Sequence, residues 1–416
     1  MVPLQNKLWT RDFTIITVGS VISMLGSSLS GFALSLLVLD YTGDPFLFAL
    51  YNVLYMVPDI VVPLFIGPFL DRFSRKKTIY VLDFLTAGLY VVFALIIHVG
   101  WFNFPILAVA CLVIGTIGAI YMVAYDSFYP LLVTEGNFQK AYSIASTLET
   151  LTVVMVPLSV VIYDKVGILP LFLIDSASYL IAAIMETRIK ADEKYIEKQK
   201  ETRNDLRGIR LFVADFVDGI RYLKVEHGLL AVTAYFTFSS MLGGAQGALV
   251  LPYLTGAFPD DGKYIAVITW GAGSIARTIF GFVHYKTKIP KHRKYAIAFT
   301  VYITISIIDG VFLYLPLIAM TVLCFIEGAL GVTSYTIRIS ATQRYVPDER
   351  KGRFNGVFST MMSLGAIGGE LVAGALAKHY DMRMILAIFA GVTVVAAIAF
   401  IGGGRKPVSA IYNTED

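Results

Sequence analysis

Long apolar runs alternate with short polar breaks along the chain, and twelve of these runs are long enough to cross a bilayer as helix. They fall at 13–39, 45–70, 77–99, 104–126, 140–163, 168–188, 229–251, 263–285, 293–315, 317–340, 353–378 and 381–403. A helix rising 1.5 Å per residue needs about 20 apolar residues to cover the hydrocarbon core. One long polar stretch, 189–228, divides the runs into six and six. Its first part, Lys190 to Arg210, is rich in Lys and Glu and is expected to form a mobile or surface helix. Its second part, Phe212 to Leu223, predicts an amphipathic helix lying along the membrane face. The expected fold is an all-α polytopic membrane protein with twelve transmembrane helices in two pseudo-symmetric six-helix bundles. The bundles cover 1–188 and 229–416, and the cytoplasmic connector covers 189–228.

Composition agrees with this pattern. Of 416 residues 56% are hydrophobic and only 15% charged, against about 45–50% and 25% in soluble domains. The net charge of +4 is unevenly placed. Arg72 to Lys77, the connector, Lys286 to Lys294 and Arg344 to Arg353 fall on one side, together with Lys7, Arg11, Arg405 and Lys406. The opposite loops carry chiefly Lys165, Lys263, Lys378 and Arg383. The positive-inside bias then puts both termini in the cytoplasm and the protein in the inner (plasma) membrane. It also makes the charge a matter of topology rather than of nucleic-acid binding. Residues 1–12 lack the features of a cleaved signal peptide, so the first span is expected to act as an uncleaved one. Cys111 and Cys324 both lie inside apolar runs and offer no disulfide framework. No His/Cys cluster suits a transition metal, and no metal or cofactor is expected.

Two polar segments stand out between the runs. Gly67-Pro68-Phe69-Leu70-Asp71-Arg72-Phe73-Ser74-Arg75-Lys76-Lys77 is a charged hinge between the second and third spans. Its weaker counterpart at Gly281 to Lys294 keeps the basic residues but has Tyr285 near the place of Asp71. At an offset of 213 residues, VTEGNFQKAYS from Val133 sets against VPDERKGRFNG from Val346. Each is an acid-then-base loop entering the next span, as duplicated halves require.

Six plus six spans, the basic connector and this hinge together resemble the major facilitator superfamily. The hinge follows that superfamily's pattern at Gly67, Asp71, Arg72, Arg75 and Lys76, with Phe69 at the usual Leu and Ser74 at the usual Gly. Three further segments resemble the macrolide-efflux branch of drug exporters. They are Ile174 to Tyr179 in the sixth span, Asp83 in the third, and Asp218-Gly219-Ile220-Arg221-Tyr222-Leu223 before the seventh. The likeness stops short of the antiporter motifs. The fourth span has no arginine within Ile114 to Gly118, and Pro157 in the fifth lacks flanking glycines. The resemblance implies a major facilitator fold and a monomer. It also places spans 3, 6, 9 and 12 outside the central cavity, which gives Asp83, Asp175 and Asp309 structural roles.

No Gly-x-x-x-x-Gly-Lys-Ser/Thr loop is present, which argues against ATP-driven pumping by this chain. Energy then comes from a gradient, and intramembrane ionisable groups are its natural carriers, because each costs several kcal/mol unless paired, hydrated or neutralised. Glu327, Glu149, Asp59 and Glu370 are the candidate coupling or proton sites, with Glu327 preferred. Glu149 and Arg277 lie at similar depth, roughly 12–14 Å from the cytoplasmic end of their spans. On opposed spans they would form an inter-domain ion pair. Gly365 to Gly369 and Gly374 predict close helix packing around Glu370. Tyr55, Tyr121, Tyr125, Tyr235, Phe236, Gln246 and Tyr335 are candidates for an adaptable substrate cavity. Gly67, Asp71, Arg72, Arg75 and Lys76 form a gate rather than a binding site, with Asp71 expected to pair with Arg72 or to cap the eleventh span near Arg353 to Asn355.

The expected function is secondary active transport by alternating access: proton-coupled efflux of amphiphilic organic compounds of drug or macrolide type. The small-molecule substrate, protons and the lipid bilayer are its partners, and no enzymatic activity is expected. The alternative is a transporter of a specific metabolite, siderophore, lipid or ion that uses the acids as a dedicated site. A non-transporting sensor or scaffold fits less well, because no sizeable soluble domain stands outside the bilayer.

Overall fold

The computed structural model describes residues 7–70, 73–101, 103–134, 137, 141, 144, 155, 158–191, 207–286 and 289–413. These residues are helical nearly throughout, and no strand occurs among them. In order the helices are α1 (Arg11–Thr42), α2 (Pro45–Leu70), α3 (Arg75–His98), α4 (Phe104–Leu132), α5 (Ile168–Glu186), α6 (Arg207–Val225), α7 (His227–Ala257), α8 (Gly262–Lys286), α9 (Lys294–Val311), α10 (Leu317–Tyr345), α11 (Asp348–Leu376), α12 (Met382–Ala396) and α13 (Arg405–Tyr412). Among the described residues eleven helices are long and apolar enough to cross a membrane. The predicted span at 140–163 lies mostly outside them, although 158–166 is helical.

Local chemistry sets the breaks. Ser74 caps α3 by accepting from the Lys77 amide at 3.1 Å, and Asn103 caps α4 by accepting from Ile106 at 3.0 Å. Gly43, Gly100 and Gly167 turn the chain with positive φ values of 60°, 79° and 75°, a region that side chains disfavour. Val133 and Val346, 213 residues apart, end α4 and α10 in almost the same extended backbone (φ/ψ −84°/125° and −77°/124°). The faint repeat thus has a structural counterpart.

The chain divides into two compact units. The first holds residues 1–42 and 54–210, with α5 packed on α1 and α3, and α3 on α4. Its apolar core gathers Phe13, Ile16, Ile79, Phe128, Tyr129 and Leu132.

The second unit holds residues 211–416 and also 43–53, the first turns of α2. There Lys378 bonds Asp44 at 2.9 Å and lies over the Phe46 ring, and Gly374 packs on Ala49. Within this unit α7 packs on α11, α8 on α10 and α9 on α12. Gly365 and Gly369 of α11 press on the Thr237 and Met241 carbonyls of α7, while Gly244 of α7 meets the Ala366 carbonyl. Without side chains at these points the backbones approach to contact.

Helix α6 has a packing partner that its amphipathic pattern does not specify. Among its described side chains Phe216, Ile220, Tyr222 and Leu223 pack into the second unit's core, Leu223 being 3% exposed, while Val217 is exposed. Asp218 bonds Arg353 at 2.5 Å, Arg350 lies over the Tyr222 ring at 4.8 Å, and Gly219 lets the helix touch the Arg353 carbonyl. The short α13 closes the same core, where Tyr412 and Tyr302 share a buried hydrogen bond at 2.8 Å.

Candidate functional site

Helix α1 presents a face of serines to the interior of the first unit. Ser20, Ser23, Ser27 and Ser30 recur every three or four residues, and Ser23 and Ser27 bond back to α1 carbonyls. Opposite them α5 carries Asp175, Ser178 and Glu186. Asp175 accepts a hydrogen bond from Ser30 and another from Ser178 at 3.2 Å, while Ser30 also lies 3.2 Å from the Tyr90 hydroxyl. Gly26 leaves the room that Ser178 and Asp175 occupy.

Towards the other end of α5, Glu186 faces Asp83 of α3 within hydrogen-bonding reach, and the Tyr121 hydroxyl approaches it from α4. Two carboxylates cannot donate to one another unless one carries a proton. Asp83 is 1% exposed and Glu186 fully buried, yet no donor among the described residues satisfies Asp83 Oδ2 or either Glu186 oxygen. Beside them lies a cavity of about 190 Å³ lined by Asp59, Asp83, Tyr55, Tyr90, Tyr121 and Tyr179. Three buried acids among the described residues, Asp83, Asp175 and Glu186, occupy this interior, and Asp59, itself exposed, lines the cavity. Among the described residues no lysine or arginine pairs with any of them, and no group of side chains there is arranged to hold a metal ion.

The second unit solves the same problem differently. Asp309 of α9 and Glu327 of α10 lie within electrostatic reach of each other and of Arg277 on α8, and Gln246 of α7 hydrogen-bonds Asp309. Glu327, with no cation near it in sequence, thus has one in space. Glu370, 4% exposed, hydrogen-bonds Asn52 instead. The second and third spans of the first half carry Asp59 and Asp83, whereas the eighth and ninth carry Arg277 and Asp309. Both units set acid against acid; in the second a cation, Arg277, also lies within electrostatic reach, and Asp309 Oδ1 has no hydrogen-bond partner among the described residues.

The remaining candidates are scattered. Tyr55 and Tyr121 line the cavity, and Tyr121 stacks on Tyr125 with ring centres 6.0 Å apart. Tyr235 and Phe236 belong to the second unit's core, Tyr235 stacking on Tyr302 at 4.6 Å. Tyr335 is exposed. Glu149 lies outside the described residues, as do Asp71 and Arg72. Gly67 is in the last turn of α2, Arg75 bonds the Ser127 carbonyl at 2.9 Å, and Lys76 bonds that of Ile189 at 3.2 Å. Arg353, an expected neighbour of Asp71, is engaged by Asp218.

Sequence reading missed two residues. Glu186, near the end of the predicted span 168–188, is not among the candidate acids, yet it is fully buried. Arg338, in the last third of α10, is surrounded by Phe236, Tyr335 and Phe358. A lone arginine inside an apolar run was the available signal.

The family model described as Major Facilitator Superfamily matches residues 16–369 and 295–415. The chain is similar to the uncharacterized MFS-type transporter YkuC of Bacillus subtilis (strain 168), with 24% identity over 292 residues, 68% of this chain and 66% of that one. It is also similar to Macrolide efflux protein A of Streptococcus pyogenes, with 22% identity over 386 residues, 90% of this chain and 91% of that protein. Among solved structures, the nucleoside transporter NupG superposes with a TM-score of 0.64 at 15% identity, covering 94% of this chain and 99% of that one. The peptide transporter POT in complex with sulfate gives 0.63 at 12% identity, covering 95% and 96%.

Proposed function

The chain belongs to the Major Facilitator Superfamily, and on that premise we propose that it exports amphiphilic organic compounds by alternating access, driven by protons. Membership makes it a multi-pass membrane transporter; cargo and coupling are the proposal. The similarity to macrolide efflux proteins, which runs the length of both chains, supports the cargo class. The basic loops support a cell-membrane orientation with both termini in the cytoplasm.

The observation that carries proton coupling is the contact between Asp83 and Glu186. Both are buried beside the cavity with unsatisfied oxygens and without a counter-ion among the described residues. A carboxyl group so placed is neutral when it holds a proton and costs several kcal/mol when it does not. Gaining and losing that proton therefore changes the energy of the surrounding bundle, which is what coupling requires. Glu327 has Arg277 to offset its charge, which makes the first unit the stronger site for the coupling proton. Asp59 shares the cavity, and Glu370 is a further acid for the same role.

The test uses the full chain in proteoliposomes loaded with ethidium. An imposed pH gradient should accelerate dye movement, and dye-for-dye counterflow should proceed without one. Asp83→Asn with Glu186→Gln should lose gradient-driven movement and retain counterflow. Dye transport indifferent to the gradient in the wild type refutes proton coupling.

A further inference from the structure

The guanidinium of Arg338 is an intramembrane charge that the coupling scheme leaves without a role. Arg338 sits seven residues before the end of α10, about 10 Å along the helix from its last residue, Tyr345. Three rings surround it: Phe358 at 4.8 Å, Phe236 at 5.0 Å and Tyr335 at 5.5 Å from the guanidinium carbon. Beyond them the hydrogen-bonded hydroxyls of Tyr302 and Tyr412 lie within its electrostatic reach.

A guanidinium has two kinds of surface. Its faces are satisfied by aromatic rings. Its edge carries five N–H donors that need acceptors in the plane. The rings attend to the faces and leave the edge open. Arg338 Nε is buried without a partner, and no carboxylate among the described residues pairs with the side chain. Snorkelling to the interface does not account for this, because the rings hold the group in place and bury its Nε. Other intramembrane charges in this unit have polar groups near them: Arg277 lies within electrostatic reach of Glu327 and Asp309, and Glu370 hydrogen-bonds Asn52.

We propose that Arg338 is an anion-recognition residue of the substrate site. Its edge would receive the carboxylate, sulfonate or phosphate head of an amphiphile whose apolar body packs on Tyr335, the exposed member of the ring set. This deepens the export reading and rests on it: the cargo is an organic compound with an acidic head and an aromatic or aliphatic body. The pairing is strong because the planar fork matches a two-oxygen anion in a water-poor setting. Phe236 and Phe358 are then positioning residues that fix the plane of the fork.

Three probes that share one ring separate charge from hydrophobicity: 2-naphthoate, 2-naphthamide and 2-naphthylmethylammonium. Binding is measured by the rise in thermal unfolding midpoint of the full chain in a non-ionic detergent. Naphthoate should bind at least about tenfold more tightly than the amide, with the ammonium weakest. Arg338→Gln should erase that order. Arg338→Lys, which keeps the charge and loses the fork, should retain only part of it and guards against a folding defect in the first variant. Equal binding of naphthoate and naphthamide to the wild type overturns the proposal, as does an unchanged preference in Arg338→Gln. A phospholipid head shares this chemistry, so the assay is repeated with phosphatidylglycerol and with phosphatidylcholine. Displacement of naphthoate by the anionic lipid alone overturns the substrate assignment in favour of a lipid site, whereas persistence in both lipids supports the substrate. No gradient or flux enters this assay, so its failure leaves the export reading intact. Absent flux with naphthoate binding intact would overturn export alone.

Discussion

Replacing Gly219 with valine should release helix α6 from the second unit, and replacing Asp218 with asparagine should not. A Cβ on Gly219 would fall 2.7 Å from Val357 Cγ2 and 2.9 Å from the Arg353 carbonyl oxygen, closer than real contacts allow. Overpacking of this kind costs about 1–3 kcal/mol, and the neighbour here is partly backbone, which cannot swing aside. The Asp218–Arg353 pair is short, but its partners are 47% and 41% exposed. Exposed pairs contribute about 0–1 kcal/mol. The docking energy therefore lies in Phe216, Ile220, Tyr222 and Leu223. The assay places a cysteine at Leu223, 3% exposed, and follows labelling by a water-soluble maleimide; the native Cys111 and Cys324 are both buried. In that background a loss of about 2 kcal/mol raises the undocked population, and the labelling rate, roughly thirtyfold for Gly219→Val. Asp218→Asn should raise it no more than about fivefold. Equal acceleration by the two changes would refute the reasoning and make the ion pair the anchor.

Three further outcomes are expected. Tyr302→Phe strands the buried Tyr412 hydroxyl and should cost about 1–3 kcal/mol in denaturant titrations, whereas Tyr302→Phe with Tyr412→Phe should cost less than the two single changes added together. Gly369→Val drives a side chain into the Met241 carbonyl and should lower the thermal midpoint markedly, while Gly368→Ala, with open space at its Cβ, should leave it nearly unchanged. Asp381 caps α12, and its hydrogen bond to Arg383 holds its carboxyl below the usual range. Its stabilisation is accordingly present above the unfolded carboxylate value near pH 4 and lost as pH falls through the lower folded value. Asp381→Asn should flatten that acid limb in unfolding midpoints taken across it.

The spans were legible because twenty-residue apolar runs have few other uses. The 213-residue offset was legible because Val133 and Val346 end equivalent helices in the same way. The destination of α6 was not. An amphipathic period identifies an apolar face but not its partner, and lipid and a protein core select the same residues. The acids were recognised singly but not as groups. Glu327 is 50 residues from Arg277 and Asp83 more than 100 from Glu186, and only the fold brings them together. Arg338 escaped notice because a cation among aromatics resembles a boundary residue until three rings are seen around it.

The uncompensated acids of the first unit have an electrical consequence. Asp59, Asp83 and Asp175 lie within spanning helices, whereas Glu186 ends one, so any of the first three that ionises stands within the transmembrane voltage drop. A charge crossing the full drop exchanges about 2.3 kcal/mol per 100 mV. An inside-negative potential pushes such a charge outward when no proton neutralises it. The second unit, with Arg277 beside Glu327 and Asp309, is less exposed to that force. Under the proposed coupling, the unloaded carrier responds to voltage and the protonated carrier responds far less. Vesicles clamped at a defined potential therefore separate the two halves of the cycle at constant pH.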